Sequence, residues 1–314
     1  MRNIYISSCR ENGSILNYIL EDNGDLLLKS SVLCNGSMYL AKKDNEIYSL
    51  LRKPFKDNNN SGFQSFEINS FGNFTGKSSE ITSTLGEVAC HLAIDEQNIY
   101  VTNYISGSVF KTPNNLSIHS GKGIHSARQA SPHTHFVTLM PNNSKLLVTD
   151  LGTDTIYLYD KSLQIVDKIK LKDGCGPRHL AFSDDGKFMF CINELTSDVA
   201  VIKMNDYEVL GYYSSLPQNY KGESTSAAIR FADNYVYVSN RGHDSITCFE
   251  FIEDKLILKS ITECMGKGPR DFNIFDDLLV CTNEKDDTVT VFKRNKEQLI
   301  FLNQINVVSP ICVI

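Results

Sequence analysis

Tryptophan is absent from this chain of 314 residues, which excludes repeat families built on a Trp-Asp dipeptide. No stretch approaches the ~18 consecutive apolar residues of a membrane span. The opening residues, Met1-Arg-Asn-Ile-Tyr-Ile-Ser-Ser8, lack the long apolar segment of a signal peptide and read as a strand. Net charge is −6, and no Lys/Arg run is interleaved with aromatics, so neither a nucleic-acid nor an anionic-membrane partner is expected. The nine cysteines are odd in number and form no Cys-x-x-Cys pair. Cys191, Cys248 and Cys281 lie in apolar runs, where a free thiol behaves as a small hydrophobe. A reducing, cytoplasmic setting is therefore expected over a disulfide framework. There is no Gly-x-Ser-x-Gly elbow and no phosphate-binding glycine loop. Zinc needs three or four convergent ligands, and the only tight pair, His133 and His135, has no third at a usual spacing. No metal or cofactor is expected, although a channel calcium on Asn and Asp oxygens would leave no spacing to read.

What the chain does have is one short pattern, seven times over. Asn193-Glu-Leu-Thr-Ser-Asp-Val199, Asn240-Arg-Gly-His-Asp-Ser-Ile246 and Asn283-Glu-Lys-Asp-Asp-Thr-Val289 each end an apolar run in Asn, turn, and open a new strand six residues on. Asn103 with Val109 and Asp150 with Ile156 fit the same frame, and Cys9 with Ile15 and Asp57 with Phe63 fit more loosely. A period of 43–48 residues filled with strand-like segments is the signature of a β-propeller. The expectation is an all-β, seven-bladed propeller with four antiparallel strands per blade, residues 1–314 forming one domain. Ser309-Pro-Ile-Cys-Val-Ile314 is expected to close the ring by joining the blade that Ile4-Tyr-Ile6 begins. Lys53-Pro-Phe-Lys-Asp-Asn-Asn-Asn60 reads as a loop inserted in the second unit.

A position filled alike in most units is architectural, and the recurring Asn/Asp residues read as turn devices. Charges that break the pattern gather in two places. At the start of the first strand stand His133 and His135, Arg178 and His179, and Arg270 and Asp271. Just past the second strand stand Glu194, Arg241 and Glu284. These two strands form a hairpin, so both sets are expected at one mouth of the central channel. Taken singly, each has an ordinary reading as a partner for loop carbonyls. Arg, His and Glu together at one mouth suggest a site. Guanidinium suits phosphate or carboxylate, and His or Glu can serve as a general base.

At these residues the chain resembles the propeller-type lactonases, the bacterial 6-phosphogluconolactonase family that includes the fungal carboxymuconate cyclases. The matching segments are Arg128-Gln-Ala-Ser-Pro-His-Thr-His135, Asp150-Leu-Gly-Thr-Asp154, Gly176-Pro-Arg-His179, Asn193-Glu-Leu195, Ser239-Asn-Arg-Gly-His243 and Pro269-Arg-Asp-Phe272. The resemblance implies a seven-bladed propeller, in agreement with the repeat count. It also implies active-site groups at His133 or His135, Arg178, Glu194 and Arg241. Ala41-Lys42 stands where the second unit is expected to carry an Asn-Glu pair. The implied reaction is hydrolysis of a small anionic sugar lactone, 6-phosphogluconolactone first. The alternatives are a cyclase or hydrolase for another carboxylated lactone, or a non-catalytic ligand-binding propeller. Glu194, His133 or His135 would be the base, with Arg178 facing the oxyanion. Arg241, with Arg270 or Arg128, would hold the phosphate, and His179 and Glu284 would also touch substrate.

Overall fold

A computed structural model describes residues 1–314. The strands form seven antiparallel sheets, one per repeat, six of them ordered in sequence from the inside out. The innermost strands are Pro310–Val313, Ser37–Lys43, Ala89–Ile94, Thr134–Leu139, Pro177–Phe182, Thr225–Ala232 and Pro269–Phe275, which define blades 1 to 7. Each touches the innermost strand of the next blade, and the last touches the first, so the ring is closed. Closure is made by Pro310–Val313, which pairs with Arg2–Ser8 and completes blade 1. Blade 2 carries a short fifth strand, Thr82–Ser83.

There is no single core. Seven apolar clusters fill the seven blade junctions, as with Phe190, Val199, Val201, Ile229, Val236 and Phe249 between blades 5 and 6. Both faces of each sheet are therefore buried, which explains why the second strands are almost continuously apolar rather than alternating. Phe188-Met-Phe-Cys-Ile-Asn193 is the clearest case.

In blades 3 to 7 the recurring Asn or Asp is fully buried. The turn after it has four residues, and the fourth (Gly107, Asp154, Ser197, Asp244, Asp287) has positive φ. That left-handed corner favours Gly, Asn and Asp and sets the spacing of the repeat. The Asx side chain reaches farther than its own turn. Asn240 donates to the Ser215 carbonyl (3.1 Å) and the Thr247 hydroxyl (3.1 Å), and it accepts from Ser215 and Ser226 hydroxyls (both 2.7 Å). Asp replaces Asn in blade 4 because an acceptor is needed there. Asp150 receives the His133 and Gly152 amides (2.7 and 2.9 Å) and bonds His119 Nδ1 (2.7 Å), whose Nε2 meets Tyr159 (2.6 Å).

The first two units depart from the sequence frame. Strand register puts Ser8, not Cys9, at the Asx position of blade 1, because its turn is one residue longer. In blade 2 the second strand, Glu46–Leu51, ends at Leu51, and the third, Gly62–Ile68, begins at Gly62. Asp57 thus falls inside a ten-residue connection, residues 52–61, rather than at a strand end. Ala41-Lys42 sits at the far end of the innermost strand, so the counterpart of an Asn-Glu pair is Leu51-Arg52.

Replacing Asn240 with Ala orphans several buried hydroxyl and carbonyl groups and is expected to cost about 2–4 kcal/mol. Asp57→Ala, at an exposed loop position, should stay within ~0.5 kcal/mol of wild type. Urea unfolding of the two variants measures both.

Candidate active site

Every innermost strand carries one extra residue relative to its neighbour near the mouth end. In blade 5, Pro177 faces Asn193 and His179 faces Ile192, which leaves Arg178 unmatched. The same count leaves Ile311, Cys90, His135 and Arg270 unmatched in blades 1, 3, 4 and 7, with equivalent shifts in blades 2 and 6. Such a β-bulge re-aims a side chain out of the ladder. A second ring lies just outside it, made by the residue after each Asx position: Cys9, Arg52, Tyr104, Leu151, Glu194, Arg241 and Glu284. In six blades its amide donates to the carbonyl two residues before the bulge, as Glu194 does to Gly176 (2.7 Å).

These two rings build a cavity of about 220 Å3 at one mouth of the channel. Bulge position supplies Met38, Cys90, His135, Arg178 and Arg270; the outer ring supplies Arg52, Tyr104, Glu194 and Arg241. Val88 and Arg128 complete the lining. Five arginines thus face one glutamate, in a chain of net charge −6.

Glu194 is the hub. Its Oε2 is 3.0 Å from both Arg178 Nε and Arg241 Nη2, and its Oε1 accepts from Arg128 Nη2 at 2.5 Å. Burial opposes ionisation of Glu194, but the guanidinium charges led by Arg241 and Arg178 outweigh it and hold the carboxyl well below its usual range. Glu194 is therefore a fixed anion, with both oxygens committed to arginines. Arg178 is almost wholly buried. It donates from Nη1 to the Ala227 carbonyl (2.6 Å) and lies 3.1 Å from His179 Nε2, while its Nη2 has no protein partner. Burial and the like charge of Arg241 bring Arg178 down to about 10, still a cation at neutral pH.

The His135 ring makes no hydrogen bond, and its Nδ1 is buried without a partner. Burial, then the charge of Arg178, push it well below the ordinary imidazole value, so it is neutral.

Of the nine residues expected at the site, six meet in this cavity: His135, Arg178, Glu194, Arg241, Arg128 and Arg270. Three lie outside its lining. His133 precedes the strand, stacks on the Tyr104 ring (4.4 Å, 9°) and donates from Nδ1 to the Tyr104 carbonyl (3.0 Å). His179 lies past the bulge in the channel, where with His135, Arg178 and Asp271 it borders a void of about 20 Å3, room for about one water. Glu284 stays at the rim on Arg270 Nη1 (3.2 Å). The sequence reading missed Arg52, Tyr104, Cys90 and Met38. Arg52 becomes visible only once the ten-residue turn of blade 2 is aligned. No group of three or more His, Cys, Asp or Glu side chains is arranged to hold a metal ion.

His91, His135 and His179 each bury an unpartnered Nδ1 in the channel. Burial is the first cause that lowers all three, His91 to about 3. Their folded values lie below the unfolded value of about 6.5, so this stability is present above pH ~6.5 and lost as pH falls, by about 1.4 kcal/mol per pH unit per histidine. Urea unfolding between pH 7.5 and 5 should show that slope, and His91→Phe should reduce it by one proton.

The fold has counterparts among known proteins. An uncharacterized protein of Staphylococcus aureus (strain USA300) is 34% identical over 95% of this chain and 94% of its own length. A Lactobacillus plantarum crystal structure superposes with a TM-score of 0.90 at 26% identity, covering 100% of this chain and 99% of that one. A Bacteroides fragilis protein provisionally named 6-phosphogluconolactonase gives 0.88 at 23% identity, with 99% and 97% covered. The periplasmic gluconolactonase PpgL of Pseudomonas aeruginosa gives 0.87 at 20% identity, with 99% and 98% covered. Residues 3–314 match the model of the lactonase family with a seven-bladed β-propeller, and the chain belongs to that family.

Proposed function

We propose that this protein hydrolyses a small anionic sugar lactone, with 6-phosphogluconolactone the leading substrate. The observation that carries the proposal is a neutral, unbonded imidazole beside several guanidiniums in one cavity of about 220 Å3. The names borne by the Bacteroides and Pseudomonas structures agree with a sugar-lactone substrate. Nine free thiols, seven of them buried, fit a reducing, cytoplasmic setting.

A ring ester needs an activated water and a stabilised oxyanion. Among the three base candidates, His135 has the free nitrogen lone pair. Glu194 spends its oxygens on three arginines, and His133 stands outside the cavity. His135 takes a proton from a water whose oxygen adds to the lactone carbonyl carbon. Arg178 offers its unpartnered Nη2 to the oxyanion, a contribution of about 3 kcal/mol in comparable sites. The tetrahedral adduct then breaks its bond to the ring oxygen, which takes the proton back from His135. One water is consumed and one hydroxy acid is formed. Glu194 holds Arg178 and Arg241 in place and moves no proton.

Turnover above the spontaneous rate on a panel of phosphorylated and unphosphorylated lactones tests the proposal. No turnover on any of them would favour a non-catalytic propeller. Arg178→Ala and Glu194→Ala are each expected to lower kcat/KM at least ~10-fold, and His135→Asn ~10²–10⁴-fold, with folding retained. Near-wild-type rates in the first two would refute these roles. Because His135 stays neutral into the acid range, kcat/KM should be flat from pH 8 down to 6 rather than fall at 6.5.

A further inference from the structure

Seven of the nine arginines are ion-paired to an Asp or Glu: Arg2, Arg128, Arg178, Arg230, Arg241, Arg270 and Arg294. Only Arg10 and Arg52 are not, and both line the same cleft, of about 710 Å3, between blades 1 and 2. Lys53 and Lys56, supplied by the ten-residue connection peculiar to blade 2, line it too. Neither lysine has an ion-pair partner, and the only acid in the lining is Glu11. Arg52 lines both this cleft and the mouth cavity. Its one side-chain hydrogen bond runs from Nε to the Met38 sulfur at 3.1 Å, so its two terminal nitrogens are uncommitted.

We infer that this cleft, through Arg52 with Arg10, Lys53 and Lys56, receives the phosphate of a phosphorylated sugar lactone whose ring lies at His135 and Arg178. The inference rests on the lactonase reading above and gives it a specificity subsite. A phosphate carries nearly two negative charges and three acceptor oxygens, and is best met by cations that no carboxylate already neutralises. The arginines on Glu194 and Glu284 do not meet that condition, since an incoming phosphate would compete with a buried carboxylate. In 6-phosphogluconolactone the ester carbonyl and the carbon that bears the phosphate arm flank the ring oxygen, so the two groups leave the ring in different directions, the phosphate on a CH2–O arm. Two adjoining cavities that share one arginine suit such a ligand. An unphosphorylated lactone would use the mouth cavity alone.

The test is the ratio of kcat/KM for 6-phosphogluconolactone to that for gluconolactone, corrected for spontaneous hydrolysis. In Arg52→Ala, and in the double variant Arg10→Ala/Lys56→Ala, this ratio should fall at least ~10-fold, chiefly through KM for the phosphorylated lactone, with partial recovery in Arg52→Lys. A ratio within twofold of wild type in both variants would overturn the inference while leaving the lactonase reading intact. Should the wild type hydrolyse neither lactone, that reading fails, and calorimetric titration decides the subsite separately. The wild type should bind 6-phosphogluconate more tightly than gluconate, and Arg52→Ala should lose that preference. Equal binding of the two acids by the wild type, or a preference retained in Arg52→Ala, would overturn the subsite.

Discussion

The site depends on one extra residue in each innermost strand. A regular hairpin would send alternate side chains into the two blade junctions, where seven apolar clusters leave no room for charge. The bulge breaks that alternation near the mouth, where a side chain can leave the ladder without disturbing the packing behind it. Five of these positions supply the floor of the cavity, and the residue after the Asx position supplies its wall. The repeat gives every blade the same two places, and chemistry enters through which residue occupies them. Blade 6 has Ala227 and Ala228 at its shift, and Arg178 fills the space beside it, donating to the Ala227 carbonyl.

A cluster of like charges at that point would be unstable alone. Three guanidiniums share the carboxylate of Glu194, and a fourth has Glu284. Removing one member of such a network leaves the others uncompensated in a poorly hydrated place, so the members stand or fall together. The same field explains why neighbouring histidines are neutral. Burial and surrounding cations both disfavour an added proton on His135 and His179. One arrangement thus supplies positive potential for an anion and a neutral imidazole with an unpartnered nitrogen.

The architecture was legible because the repeat has a local cause. A four-residue turn closing on a left-handed corner constrains residue type over a short span, and blades 3 to 7 show it. Where the turn changes length, counting back from the third strand goes astray. It placed the frame on Cys9 one residue late and on Asp57 six residues late, and so hid Arg52. The charged members of the cavity were legible as breaks in the repeat, but Met38, Cys90 and Tyr104 carry no such mark. His133, His179 and Glu284 satisfied the pattern by sequence position yet fell outside the lining. Being near a strand start does not tell which side of the bulge a side chain leaves from. That depends on strand pairing, which a single chain of letters does not show.

The site also requires the ring to be closed. Arg178 and Glu194 come from blade 5, Arg241 from blade 6, His135 from blade 4, and Arg128 from the segment before Thr134–Leu139. Of the contacts that orient the Arg178 side chain, those to His179 and Glu194 lie within blade 5, and the one to the Ala227 carbonyl comes from blade 6. Closure reaches the channel as well. Buried Asp271 of blade 7 accepts from Arg230 Nη2 of blade 6 (2.9 Å) and from the amide of Val313 (3.3 Å), in the strand that completes blade 1. Three consecutive blades thus meet on one carboxylate below the mouth, and two blades and a linker meet on Glu194 within it. A carboxylate shared between blades converts the closed ring into fixed positions for cations, and fixed cations are what a site for anionic esters needs before any substrate arrives.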